Sequence, residues 1–180
     1  MAPAEQLPTI ALGLPGWALR AWRAGDAPAL ALHANNVNVW RSMSDAFPHP
    51  YTLEIAQQWV TRGHIDFGGD NWAITCNDVA VGGGGIRQQA GQVRCNAEVG
   101  WWLAEAHWGC GVGTRVAMQL AAHALAQVDI TRVFAPIHAH NERSMRVAEK
   151  AGFRLEGIQP QSAFKDGRVI DRWIWGRYKP

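Results

Sequence analysis

From residue 98 to residue 126 an apolar strand pattern, a glycine-punctuated loop and an apolar-striped helix pattern follow one another in close order, and few folds accommodate that order. Glu98-Val99-Gly100-Trp101-Trp102-Leu103 reads as a strand, Trp108-Gly109-Cys110-Gly111-Val112-Gly113-Thr114 as the loop, and from about Val112 a helix places Val112, Val116 and Leu120 on one stripe. Glycines at alternate positions let successive backbone amides point into one concavity. The following helix adds its positive end, so the loop is suited to a phosphate or pyrophosphate. The spacing is not G-x-G-x-x-G and no G-K-[ST] follows, so dinucleotide and P-loop readings fail at the residue level. Taken alone, the segment also fits a tight strand-to-helix turn with no ligand.

Around this junction the chain reads as mixed α/β. Residues 17–22 alternate as a strand, and Asp26, followed by Ala27 and Pro28, is expected to cap a helix carrying Leu30, Leu32 and Val37. Phe47-Pro48-His49-Pro50-Tyr51 cannot continue a helix, because each proline lacks an amide hydrogen and restricts the residue before it. Thr52 then caps a second helix ending at Gly63. Residues 71–76 and 79–87 are strands joined at Asn77-Asp78, a hairpin signal. Gly82-Gly83-Gly84-Gly85 lies inside the second strand with no capped helix after it, which predicts a bulge or a close backbone approach. A strand at 132–137, a helix at 141–151 closed by Gly152, and strands at 153–158 and 169–175 complete the pattern. We expect one domain over residues 17–180, preceded by a proline-bearing tail at 1–16.

Composition removes several function classes. With 48% hydrophobic and 18% charged residues among 180, the chain can bury a sizeable core without staples. A net charge of +2 and the lack of a basic stripe interleaved with aromatics give no support to nucleic-acid binding. Trp72, Trp101, Trp173 and Trp175 alternate in strands and read as core. Cys76, Cys95 and Cys110 form no C-x-x-C pair, which suits a reducing compartment and offers no zinc site. Neither a signal peptide nor a membrane-spanning run is visible, so a cytoplasmic protein is expected.

Five pieces of the sequence, LRAWRAGDAPAL, FPHPYTLEIAQQW, EVGWWLAEAHWGCGVGT, NERSMRVAEKAGFRLEG and DGRVID, occur in the order found in the GNAT superfamily of acyl-CoA-dependent N-acyltransferases. The chain resembles this superfamily from Leu19 to Trp175, in particular the branch containing the ribosomal-protein-alanine N-acetyltransferases. The family's loop pattern is Gln/Arg-x-x-Gly-x-Gly/Ala; Gly111 and Gly113 meet it, while Trp108 replaces the first residue and Arg115 stands where that branch often has glutamate. The resemblance implies a GNAT fold: a central, mostly antiparallel, splayed sheet flanked by helices.

It also implies a division of labour. Acyl transfer from a thioester to an amine needs a neutral amine, a place for the developing oxyanion and a proton for the departing thiolate. The family pattern places acetyl-CoA, as co-substrate, on Trp108, Gly109, Gly111, Val112, Gly113 and Thr114, with the acyl carbonyl at a backbone amide near Trp102 and Leu103. Asn141 is implied in binding the pantetheine or phosphate portion, and Lys150 lies near the coenzyme tail. The chain has no tyrosine on the helix beginning near Asn141, where many members carry the acid, so Ser144 becomes the candidate acid; Asn141 and Ser144 also look like a helix-capping pair. Glu98 can accept the amine proton through water, or is an exposed charge on a strand end. His49 and Tyr51 are candidate acceptor contacts, and His49 and His107 are weaker proton acceptors. No metal is needed. The acceptor is a protein N-terminus, as the branch implies, or a small amine such as an aminoglycoside or polyamine. A CoA-binding sensor or interaction domain without catalysis is the rival from another class. Monomer and homodimer both remain open.

Overall fold

The computed structural model describes residues 7–180. Eight strands form one sheet in the order β1-β2-β3-β4-β5-β6-β8-β7. They are β1 (Ile10–Ala11), β2 (Trp17–Ala21), β3 (Asp70–Cys76), β4 (Val79–Gln88), β5 (Asn96–Leu103), β6 (Arg132–His138), β7 (Arg154–Lys165) and β8 (Arg168–Tyr178). Every neighbouring pair is antiparallel except β5 and β6, which run parallel. A parallel pair needs a crossover, and α5 (Val112–Leu125) supplies it. The helices α1 (Ala27–Ala34), α2 (Val37–Ser42) and α3 (Leu53–Gln58) cover the other face. A wide turn at Trp59–Gly63 and the one-turn α4 (His64–Asp66) continue α3, and α6 (Glu142–Lys150) lies beside α5.

Period-two alternation in the central strands builds two cores. Ala97, Val99 and Leu103 of β5 pack with Val112, Val116 and Leu120 of α5 and with Val133, Ala135 and Ile137 of β6. On the opposite face Trp22, Leu30, Tyr51, Ala56 and Ala73 form a second cluster, with Trp102 against it. The expected stripe of α5 is buried as its spacing required. Gly152 closes α6 at φ +84°, with Phe153 N–H bonding Ala148 O at 3.0 Å, a left-handed cap that satisfies the last carbonyls.

Several expectations need correction. The tail is part of the sheet from Ile10 onward: Ile10 pairs with Leu19, and Leu12 is buried in the core; residues 1–6 of the expected tail lie outside the described residues. The first helix is two, because Asn36 takes an extended backbone and starts α2 by accepting from Asn38 and Val39 N–H. Leu32 and Val37, expected on its apolar face, are exposed. Asp26 does not cap α1 through its side chain; the carboxylate is drawn to Arg20 and to Arg23 N–H. The last two strands are longer than the apolar runs suggested, closing at a tight turn with Asp166 and Gly167 both at positive φ.

Candidate active site

The site begins where the parallel pair comes apart. β5 and β6 are paired from Asn96↔Arg132 to Glu98↔Phe134 and no further, although β5 continues along β4 to Leu103 and β6 along β8 to His138. Two hydrogen bonds fix the direction of the β5 backbone: Asn96 O accepts from Gln89 N–H and Ala104 N–H donates to Val81 O, so even-numbered residues turn to β4. Cys95 O accepts from Thr131, so odd-numbered residues turn to β6. Trp102 is therefore bonded into the ladder with Gly83, and the backbone groups facing the gap belong to Trp101 and Leu103. The sequence led us to expect the acyl carbonyl near Trp102 and Leu103; of these two, it is Leu103 whose backbone groups face the gap. The Leu103 carbonyl accepts the Trp108 indole N–H at 2.7 Å, which ties the loop to the strand end and leaves the Leu103 N–H toward the gap.

The loop itself is a concavity of amides. Gly109 and Gly111 lie at φ +79° and +80°, and Gly111 is the N-cap of α5 with no side-chain cap. The first intrahelical bond runs from Arg115 N–H to Gly111 O, so the N–H groups at the head of α5 lack helical partners. Val112 offers only its amide, since its side chain is buried. Gly113 faces α6, where a Cβ would stand 3.5 Å from Val147. The Arg143 guanidinium lies 4.8 Å over the Trp108 ring, a cation beside the loop that no sequence pattern had singled out. These features fit an anionic pyrophosphate: free donors, a helix dipole and a neighbouring positive charge. Lys150 is exposed in the last turn of α6, at the opposite end of that helix from Asn141.

A cavity of about 1030 Å³ opens on the α1–α3 side of the gap. Gly83, Gly84 and Gly85 line it with Glu98, Gly100 and Trp102. Glycine is required at position 83, because a Cβ there would stand 2.6 Å from the Trp102 indole nitrogen. Phe47, Tyr51, Trp59 and Phe67 contribute aromatic wall, and burial pushes the Tyr51 hydroxyl up to about 12, so it stays a neutral phenol. Asn141 and Ser144 also line the cavity, and the Asn141 side-chain oxygen accepts Ser144 N–H at 3.1 Å. Asn141 thus caps α6 and presents its amide at the same place.

Glu98 lies on the cavity side, half-buried and paired with its cross-strand partner Arg87 at 2.9 Å. It sits at the closed end of the gap, opposite Phe134. His49 is exposed, stacked on Trp40, and is not among the residues lining the cavity; His107 packs edge-on against Trp17, also away from it. Among the described residues the histidine that lines it is His138, the last residue of β6, which is 9% exposed and whose Nδ1 has no hydrogen-bond partner. The signal for it was the alternation Phe134, Pro136, His138, out of phase with the buried Val133, Ala135 and Ile137.

The structure thus brings together a parallel pair opened over a cavity, strand amides facing the gap and an amide-lined helix head beside it, the arrangement that the resemblance to the GNAT superfamily implies. Residues 18–154 match the family model described as the acetyltransferase (GNAT) domain, and the chain belongs to that family. It is 27% identical over 114 residues to the uncharacterized N-acetyltransferase YoaA of Bacillus subtilis (strain 168), covering 62% of this chain and 64% of that one. It is 31% identical over 81 residues to the ribosomal-protein-serine acetyltransferase of Escherichia coli (strain K12), covering 45% of each. The matches span less than two thirds of the length of these curated relatives. In structure the chain is similar to RimL, a ribosomal L7/L12 alpha-N-protein acetyltransferase solved in complex with coenzyme A, with a TM-score of 0.82 and 23% identity over 95% of this chain and 98% of that one. No helix among the described residues is long and apolar enough to cross a membrane.

Proposed function

We propose that this protein moves the acetyl group of acetyl-CoA to the α-amine of a peptide or protein N-terminus by direct attack. The observation that carries this reading is the gap between β5 and β6, where the Trp101 and Leu103 N–H groups lie beyond the last pair, Glu98↔Phe134, and face the gap. Preorganised donors of this kind stabilise the oxygen of a carbonyl as it takes up negative charge, and they need no reorganisation when the reaction occurs. The amides at the head of α5 hold the pyrophosphate. Asn141 holds the pantetheine arm through its amide nitrogen, and the Ser144 hydroxyl supplies a proton to the leaving thiolate.

Charge selects among acceptors. The cavity lining contains Arg62, Arg87 and Arg172 against Asp66 and Glu98. Asp66 has Arg62 at 3.1 Å and Glu98 has Arg87 at 2.9 Å, so each carboxylate of the lining already has a cation beside it. An aminoglycoside or polyamine would bring several charges to a wall that already carries an excess of arginine. A chain terminus brings one ammonium on an otherwise neutral or acidic segment, and the volume and aromatic wall suit its first side chains. The Escherichia coli relative, by its name a ribosomal-protein-serine acetyltransferase, supports the same class of acceptor.

The test is a mass-spectrometric acceptor screen in which peptides with free N-termini, lysine-containing peptides with blocked N-termini, polyamines and aminoglycosides are incubated with protein and acetyl-CoA. Acetylation confined to free N-termini is expected. Preference for polyamines would overturn the acceptor assignment, and tight CoA binding without transfer to any amine would establish a sensor.

Two substitutions separate the roles on α6. Ser144→Ala should lower kcat by ~10²- to 10⁴-fold, the usual range for a general acid, with CoA affinity nearly intact; a loss below about tenfold reduces Ser144 to a residue of the first helical turn. Asn141→Ala would also remove a cap worth roughly 0.5–2 kcal/mol, so Asn141→Ser is the cleaner variant. It keeps an oxygen for Ser144 N–H and removes the amide nitrogen. Weaker CoA binding at unchanged Tm is expected, measured by calorimetry and thermal melting.

A further inference from the structure

We infer that His138 is the catalytic base: its Nδ1, buried at the open end of the β5–β6 gap and without a hydrogen-bond partner, accepts the proton that the acceptor ammonium must lose. This rests on the acetyl-transfer reading above and adds a residue outside the candidate set read from the sequence.

Position is the first argument. Glu98, Gly100 and Trp102 of β5 and Phe134, Pro136 and His138 of β6 share the cavity face, and the strands are paired at Glu98↔Phe134. Glu98 therefore lies at the closed end, four residues before the point on β6 where His138 faces the opened gap. The Trp101 and Leu103 amides also lie beyond the last pair, on the side of His138. A Cβ at Gly100 would meet nothing within 4 Å, so the face between the two ends is open.

Availability is the second. Glu98 is engaged by Arg87, whereas His138 Nδ1 is a buried polar atom with nothing bonded to it. Such atoms are uncommon in native proteins and call for an explanation in function. The groups around the ring are His140 with its ring centroid at 5.5 Å, Lys165 on β7, Arg172 on β8 and the backbone of Arg41. Lys165 is itself buried, donating to Ser44 O at 3.2 Å and lying over the Trp40 ring, with Asp45 and Asp166 acting on it. Arg172 is bonded to the neutral Ser162 and Gln159 side chains. Among the described residues, the remaining charges lining the cavity are the Arg87–Glu98 and Arg62–Asp66 pairs.

Burial, followed by His140, pushes the imidazole below its ordinary value, with Lys165 and Arg172 adding to the shift and the backbone carbonyl of Arg41, an acceptor, opposing it. The ring is consequently neutral at pH 7. In a neutral imidazole one ring nitrogen carries the proton and the other keeps a lone pair, and the role of base requires that lone pair on Nδ1.

The step balances. The ammonium R–NH₃⁺ gives one proton to Nδ1, and the freed nitrogen lone pair forms the C–N bond at the thioester carbonyl. The C–S bond breaks with its electron pair on sulfur, the second nitrogen proton is lost as the amide forms, and the thiolate takes up one proton. His138 returns its proton to solvent, so the sum is amide, thiol and one released proton. A base of lowered pKa suits an α-ammonium of about 7.7–8.0 better than a lysine ammonium of about 10.4, in keeping with an N-terminal acceptor.

The experiment is the pH profile of kcat/KM for wild type, His138→Gln and Glu98→Gln with a series of peptide amines of different basicity, together with ¹⁵N spectra of the histidine rings. Activity should fall as pH drops through the pKa of His138, because the protonated ring accepts nothing. That acidic limb should stay fixed across the amine series, survive in Glu98→Gln and vanish in His138→Gln, which should lose ~10²- to 10⁴-fold at pH 7 while binding CoA normally. The spectra should show a neutral ring protonated at Nε2. A limb that follows the amines, a His138→Gln loss below tenfold, or a limb abolished by Glu98→Gln would each overturn the assignment. So would a proton on Nδ1 at neutral pH, a readout that stands even where His138→Gln does not fold. Normal turnover in His138→Gln defeats the base alone; failure of every amine in wild type defeats the transfer reading and the base with it.

Discussion

Gly111→Val is expected to weaken CoA binding by ~10²- to 10⁴-fold, the equivalent of losing two charge-assisted hydrogen bonds of about 1.5–3 kcal/mol each. Gly111 sits at φ +80° as the N-cap of α5, and the amides that follow it face outward. A Cβ at this position meets nothing within 4 Å, so packing does not oppose the change. The opposition comes from the backbone, because a left-handed conformation costs an L-residue roughly 1–2 kcal/mol and is least tolerated by a β-branched one. Relaxing to negative φ turns the amides out of their common direction, and the side chain occupies the approach. Gly111→Asn, which tolerates the left-handed region, should retain much of the affinity. Gly113→Val is a poorer probe, since its methyls would press on Val147 and shift α6 as well. Calorimetric titration with CoA decides the matter: unchanged affinity in Gly111→Val removes the loop from the site.

Asp26→Ala is expected to destabilise the protein by about 3–5 kcal/mol, the range for stripping one partner from a buried ion pair. At roughly 2–4 °C per kcal/mol for a chain of this size, Tm should fall by about 6–20 °C. Arg20 is buried, and its guanidinium is held by both Asp26 oxygens at 2.8 Å, by Asp78 Oδ1 at 2.7 Å and by the Asp78 carbonyl at 2.7 Å. Removing Asp26 leaves a desolvated cation with an exposed partner and frees Arg23 N–H as well. Asp78→Ala should have a much smaller effect, because that carboxylate is largely in water and Asp26 still neutralises Arg20. The cluster also ties the start of α1 to β2 and to the β3–β4 turn, so Asp26→Ala should disturb the cavity wall at Leu30. A thermal melt beside a CoA titration separates the two losses; a fall in Tm below about 2 °C would mean that the pair contributes little, as an exposed pair does.

The sequence carried whatever depends on a few neighbouring residues. The loop at 108–114, the left-handed closure at Gly152, the Thr52 cap and the Asn77-Asp78 hairpin are set by backbone freedom, capping chemistry and turn residues. All of these are local. The glycine run at 82–85 was legible as close approach for the same reason, although the neighbour proved to be the Trp102 indole. Whether a titratable side chain meets solvent, an ion partner or a cavity is decided by strands distant in sequence. Nothing near Glu98 announced Arg87 on the neighbouring strand, and nothing near Asp26 announced that Arg20 would take its carboxylate from α1. The same holds for the amides at the gap. Alternation along β5 divides its backbone groups between two neighbours, but only the end of β5–β6 pairing at Glu98↔Phe134 determines that Trp101 and Leu103, rather than Trp102, are left to face a ligand. Register and splay are properties of the assembled sheet, and they place His138 in the cavity while leaving His49 and His107 outside it.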